Sequence, residues 1–198
     1  MVIDENLLIK YGAIFHHYAA KETIFSRDAS PTAYLQISKG TVELDNYHED
    51  GKEFTLNILS AGQSIGESLL FGGNHYPMNA VAKDECSILY LPKTQFLQLL
   101  DENKSIVFRL LGYLSDRLFY KYTMLFGNSA NEPIPKILAL LDYYKRSASV
   151  EGQFSYSFPL TRQQIANLTG LRVETVIRTV KKMNEERLIL VKDRKIFY

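Results

Sequence analysis

The residues best placed to do chemistry lie near the end of the chain, in Leu160-Thr-Arg-Gln-Gln-Ile-Ala-Asn-Leu-Thr-Gly-Leu-Arg-Val-Glu-Thr-Val-Ile-Arg-Thr-Val-Lys-Lys-Met183. Glu174 and Arg178 stand four residues apart, so on a helix they share one face. A carboxylate there can accept from cytosine N4, and a guanidinium can bond guanine O6 and N7 together. Arg172, Val173 and Thr175 flank the pair at the helix start, and Lys181 and Lys182 follow one turn later. Ahead of it, Thr161, Arg162 and Gln163 carry hydroxyl, guanidinium and amide groups of the kind that contact phosphates. A solvated ion pair on any surface helix has the same spacing. The surrounding pattern is what favours base contact.

That pattern is two short amphipathic helices joined by a turn at Gly170. Ile165, Ala166 and Leu168 give the first an apolar face, and Val176, Val180 and Met183 recur at helical spacing in the second. Thr161 is the expected N-cap, with Gln164 completing a capping box. A helix held by its apolar side, with its N-terminal residues in the major groove, has helix-turn-helix geometry. From Leu160 onward there are nine Lys or Arg against four Asp or Glu, a net of +5 in a chain whose total is +1, so the preceding 159 residues carry −4. Positive charge gathered in one segment suits a module that faces nucleic acid. The basic turn Lys192-Asp-Arg-Lys195, between Leu188-Ile-Leu-Val191 and Ile196-Phe-Tyr198, predicts a small hairpin, or wing, with Lys195 toward the phosphates.

The elements that position this stretch follow from the rest of the chain. Its 198 residues suffice for one large or two modest domains, and nearly half are apolar. No apolar run approaches membrane-spanning length, and the N-terminus lacks an export signal, so a cytoplasmic protein without membrane contact is expected. The single cysteine, Cys86, sits in the apolar run Cys86-Ser-Ile-Leu-Tyr-Leu91, where strand packing is its expected role. From about Ala13 to Leu91 short β-rich runs alternate with turn signals, among them Lys39-Gly40, Asp50-Gly51, Ala61-Gly62 and Gly72-Gly-Asn74. Such spacing predicts a jelly-roll barrel. A short helix follows from Pro92 to Leu100, then a long one from about Lys104 to Phe126. Val107, Leu111, Leu114, Leu118, Tyr122 and Leu125 recur there at fours and threes, a two-helix seam. Leu110, Phe119 and Met124 widen the apolar surface, enough for one side on the barrel and one on a second copy of the chain. Gly127 to Pro133 is the expected hinge, and a helix from about Ile134 to Arg146 opens the last domain. The expected class is therefore α+β: a jelly-roll sensor over residues 1–100, a dimerisation helix over 101–127 and a winged helix-turn-helix over 128–198.

Over nearly its full length the sequence resembles the Crp/Fnr transcription regulators. The match rests on Lys21-Glu-Thr-Ile-Phe25, Tyr34-Leu-Gln-Ile-Ser-Lys-Gly40, Asp50-Gly-Lys-Glu53, Gly62-Gln-Ser-Ile-Gly-Glu-Ser-Leu-Leu-Phe71 and the two helices of the terminal stretch. The resemblance implies a homodimer on a palindromic operator, with RNA polymerase as a further partner. It also implies that Glu174 and Arg178 read a G·C pair in a TGA-type half-site. Val173 and Glu174 look closer to the oxygen-sensing branch, while Ile177 stands where that branch uses a serine. An effector pocket is implied around Ile65, Gly66, Glu67, Ser68, Tyr76, Pro77 and Met78.

That pocket departs from the cyclic-AMP-responsive members. Gly66 and Glu67 are kept, but the Arg-Ser pair that holds the cyclic phosphate falls on Pro77 and Met78. No Lys or Arg replaces it before Lys83, so cyclic AMP is not expected to bind in the usual way, and any small-molecule effector is of unknown identity. One cysteine does not supply the ligands of an iron–sulfur cluster. His75, near the pocket loop, is the one residue there that could serve a haem, and a loop role suits it better. No cofactor or metal is therefore expected. A jelly roll can also be a metal-dependent enzyme, but His16, His17, His48 and His75 form no His-x-His pair and no second cluster, and no enzyme is expected. The remaining alternative is a regulatory module acting on a partner protein instead of DNA.

Overall fold

A computed structural model describes residues 1–47, 51 and 53–198. The chain divides into two compact units, Met1–Ser115 and Asp116–Tyr198.

The first unit opens with helix α1 (Glu5–Lys10), capped by Asp4, whose carboxylate accepts from the Leu7 amide at 3.1 Å. The strands that follow are β1 (Ile14–Tyr18), β2 (Thr23–Phe25), β3 (Ala33–Lys39), β4 (Thr41–Tyr47), β5 (Glu53–Ser60), β6 (Ser64–Ile65), β7 (Asn79–Ala82) and β8 (Cys86–Pro92). They form two four-stranded antiparallel sheets ordered β1-β8-β3-β6 and β2-β7-β4-β5, the double-sheet jelly roll expected. Strands β4 and β5 pair as a hairpin. The Asp50-Gly51 turn expected between them falls largely outside the described residues, as do His48, Glu49 and Lys52.

Strand β3 is buried on both faces, so its sequence is apolar almost throughout. Leu35 and Ile37 join Val42, Leu44, Leu59, Ala80 and Ile88 in a core between the sheets. Tyr34, on the opposite face, joins Leu8, Leu89, Leu91, Phe96 and Leu99 in a second core beneath the helices. Gln36 on that face is fully buried, and its amide both accepts from Ile3 N at 3.0 Å and donates to Ile3 O at 2.8 Å. A buried amide that is hydrogen-bonded in both directions avoids the desolvation cost of an unpaired one. Cys86 is buried in β8 and its thiol donates to Thr41 O at 3.3 Å, the packing role expected.

Helix α2 (Lys93–Glu102) leads into α3 (Lys104–Asn128), and the boundary between the units falls inside α3. Two sides of α3 differ. Ile106 and Leu110 are buried in the second core, with Val107, Tyr113 and Leu114 packed against it. Phe108, Leu111, Leu118, Phe119, Tyr122, Leu125 and Phe126 are exposed. The outward stripe therefore differs from the expected seam: Val107 and Leu114 lie on the barrel side, and Phe108 stands outside.

The second unit holds the end of α3, then α4 (Pro133–Ser147), β9 (Ser157–Phe158), α5 (Arg162–Thr169), α6 (Val173–Glu185), β10 (Leu190–Lys192) and β11 (Lys195–Phe197). Ile137, Leu140, Leu141, Ile165, Val176, Val180 and Met183 are buried from three helices. Of the expected linker Gly127 to Pro133, Gly127 and Asn128 end α3 and Pro133 opens α4, which leaves residues 129–132 between the helices. A Cβ on Gly127 would sit 2.5 Å from Ala139 Cβ, so glycine permits α3 and α4 to touch there. The Asn128 amide donates to Leu168 O at 3.0 Å.

Candidate nucleic-acid interface

The terminal stretch folds as two helices because its caps are local and complete. Thr161 Oγ1 accepts from Gln164 N at 3.2 Å and the Gln164 side chain accepts from Thr161 N at 2.9 Å, the reciprocal capping box expected. Gly170 ends α5 with φ +68°, a left-handed conformation that costs a residue with a Cβ about 1 kcal/mol or more. Ile165, Ala166 and Leu168 from α5 meet Val176, Val180 and Met183 from α6 in the core, which fixes the roll of α6 about its axis.

That roll turns the polar residues outward. Arg172 is the N-cap of α6, and Arg172, Glu174, Arg178, Lys181 and Lys182 are exposed. Val173 and Thr175 are half-buried. Among the described residues, neither the Glu174 nor the Arg178 side chain makes a hydrogen bond or ion pair. Lys181 and Lys182 lie 3.9 and 3.7 Å from Glu185 and Glu186 on the following turn. Such exposed pairs contribute little and yield readily to a phosphate. At the start of α5, Thr161 and Gln163 are exposed and Arg162 is half-buried, which lowers its pKa from the ordinary guanidinium value. The Gln163 amide donates to Asn167 Oδ1 at 2.8 Å.

The wing forms as an antiparallel hairpin, with Leu190 opposite Phe197 and Lys192 opposite Lys195, and β9 completes a three-stranded sheet. Asp193 and Arg194 both have positive φ, 49° and 63°, as the two-residue turn of a tight hairpin requires. Lys192, Arg194 and Lys195 are all exposed around it. Arg194 was legible only as part of a basic run; its position at the tip comes from the turn geometry.

The residues of the expected effector pocket divide differently. Ile65, Gly66, Glu67, Tyr76 and Met78 are buried, whereas Ser68 and Pro77 are exposed. Tyr76 stacks on Phe25 with ring centroids 3.7 Å apart. Gly66 has φ +67°, and a Cβ there would lie 2.6 Å from the Tyr76 ring, so the loop closes directly onto that ring. Burial pushes the Tyr76 phenol up to about 12. Asn46 donates its amide to Pro77 O at 2.6 Å, and the Tyr76 backbone exchanges hydrogen bonds with Asp28 and Ala29. The chain's own aromatic side chains thus occupy the space over Gly66.

A jelly roll, a long helix and a winged helix-turn-helix in this order define a class of transcription regulators with a sensor barrel and a DNA-reading head. Comparison with known proteins identifies the family. Residues 15–103 match the cyclic nucleotide-binding domain, and residues 137–197 match the Crp-like helix-turn-helix domain. The chain is 29% identical over 177 residues to the cAMP-activated global transcriptional regulator CRP of Salmonella typhimurium, covering 88% of this chain and 84% of that protein. It is 29% identical over 184 residues to the cAMP-activated global transcriptional regulator Vfr of Pseudomonas aeruginosa, covering 89% and 85%. In fold it is similar to a CooA variant from Carboxydothermus hydrogenoformans, with a TM-score of 0.78 over 98% of this chain and 87% of that one at 19% identity. The chain belongs to the Crp/Fnr family of DNA-binding transcription regulators. Its relatives are regulators, not enzymes. No helix among the described residues is long and apolar enough to cross a membrane.

Proposed function

We propose that this protein acts as a homodimer on a near-palindromic operator, with α6 of each copy in successive major grooves about 34 Å apart. The carrying observation is the exposed Glu174 and Arg178 pair, whose side chains have no partners among the described residues, on the N-terminal half of a helix whose opposite side is buried. Glu174 and Arg178 read adjacent bases, while Thr161, Arg162, Gln163, Arg172, Thr175, Lys181, Lys182 and Lys195 hold the sugar–phosphate backbone, with Val173 beside the pair. The dimer forms through the outward stripe of α3, where Leu111, Leu118, Tyr122 and Leu125 keep the spacing of threes and fours of a helix pair. RNA polymerase is the partner that the DNA-bound form meets.

The barrel does not take cyclic AMP in the manner of its cyclic-AMP-activated relatives. A cyclic phosphate beside Pro77 and Met78 would have no cationic partner there and would lack the charge-assisted hydrogen bonds that an Arg supplies. Tyr76 already fills the space over Gly66. Calorimetry with cyclic AMP is expected to show no binding in the micromolar range; micromolar or tighter affinity overturns this reading of the barrel. A gel-shift series with wild type and Arg178→Ala tests the DNA reading. The variant is expected to lose sequence preference while keeping salt-sensitive binding, and absence of DNA binding by wild type at any salt refutes it.

A further inference from the structure

We propose that Ile177 is a specificity-determining residue whose side chain packs on the C5-methyl group of a thymine next to the base pair read by Arg178. The inference rests on the reading that α6 enters the major groove.

Ile177 is 53% exposed although it sits on a helix whose apolar side is already complete. Val176, Val180 and Met183 fill the core at 0%, 3% and 0% exposure, and Ile177 stands about 100° around the helix from Val176. Neither burial nor helix propensity explains an isoleucine there, because a branched side chain is a poorer helix former than Ala, Lys or Glu. Its neighbours explain it better. Glu174 lies one turn before, Arg178 follows directly, Lys181 lies one turn after, and all three are exposed. Val173, half-buried, is the preceding residue on the same strip. Two branched apolar side chains thus run beside the carboxylate–guanidinium strip, on the face assigned to bases.

Only one base presents an apolar group in the major groove, thymine through its C5-methyl, and apolar contact with it is a recognised form of direct readout. A β-branched side chain is also suited to the task, because a helix leaves isoleucine essentially one χ1 rotamer. Its methyl groups are therefore fixed before DNA arrives, and little side-chain entropy is lost on contact. The half-site should then require thymine at one position for its methyl group alone, independent of hydrogen bonding.

The test uses the full chain and a duplex selected by it from a random pool. Each thymine in turn is replaced by deoxyuridine, which removes the methyl and keeps the base pair. At one thymine per half-site, wild type is expected to lose about threefold to fourfold in affinity, the worth of one buried methyl group. Ile177→Ala should be weaker on the parent duplex and indifferent to that same replacement, while melting no lower than wild type. If the selected duplex is bound with full dependence on Arg178, yet no deoxyuridine position separates wild type from Ile177→Ala, this inference is overturned and the helix-turn-helix reading stands. If no sequence is selected at all, both fall together.

Discussion

Around the loop Ile65 to Ser68, side chains find their partners inside the chain: Tyr76 stacks on Phe25, Gly66 closes on Tyr76, and Asn46 holds Pro77 O. On α6 the opposite holds, with Glu174 and Arg178 exposed and without partners among the described residues. Both regions derive from motifs of the same family, yet one is closed on itself and the other is open. Side chains that must meet a ligand are left unsatisfied by the fold, because a partner within the chain would have to be displaced at a cost. At Gly66 the family's turn is retained, but the space over it is filled by the Tyr76 ring.

The contrast can be broken most forcefully at Tyr76. Tyr76→Ala should cost ~3–5 kcal/mol of folding stability, as expected for truncating a buried aromatic, whereas Arg178→Ala should leave stability within about 0.5 kcal/mol. Denaturant titration of both variants checks this, and equal effects would erase the distinction. The same ring gives a pH signature. Burial raises the Tyr76 phenol to about 12 and pushes Tyr120 up as well. The unfolded chain ionises its tyrosines first, near pH 10, so this contribution is complete below pH 10 and is lost as the pH rises towards 12. Stability that stays flat from pH 9.5 to 11.5 would contradict burial of these phenols.

The outward stripe of α3 is a second open surface, apolar where α6 is polar. Leu118→Glu combined with Leu125→Glu should weaken self-association by ~100-fold or more, since each leucine removed from an interface is worth about 1.5–3 kcal/mol. Sedimentation velocity reads this directly, with thermal unfolding as a control that the monomer still folds. Smallest is the effect of Lys195→Ala at the wing: all sequences should bind more weakly by the same factor, and the slope of log affinity against log salt should fall by about one. A change confined to one operator position would instead make Lys195 a base-reading residue.

The helix-turn-helix was legible in the sequence because its determinants are local. A capping box spans four residues, a Gly turn one, and the apolar faces of α5 and α6 a dozen, so spacing alone oriented Glu174 and Arg178. Long-range contacts were not legible. Gly127 reads as a helix breaker, but it is needed where Ala139 approaches from another helix. Helix α3 is apolar on two sides, so periodicity did not reveal that Val107 and Leu114 cover the barrel while Phe108 is left outside. The closure of Tyr76 over Gly66 joins residues ten apart through a loop with no regular pattern. Strand β7, Asn79-Ala-Val-Ala82, has weak β character of its own and is held by pairing with β2 and β4 on either side.

The central claim, that α6 presents its exposed pair to bases, is tested most directly by fluorescence anisotropy of wild type and Arg178→Ala. Each is titrated onto the selected duplex and onto a scrambled duplex at matched salt. Wild type is predicted to prefer the selected duplex strongly, and Arg178→Ala to lose ~1–3 kcal/mol on that duplex alone, with nearly unchanged affinity for the scrambled one. Equal discrimination by the two proteins would contradict the account.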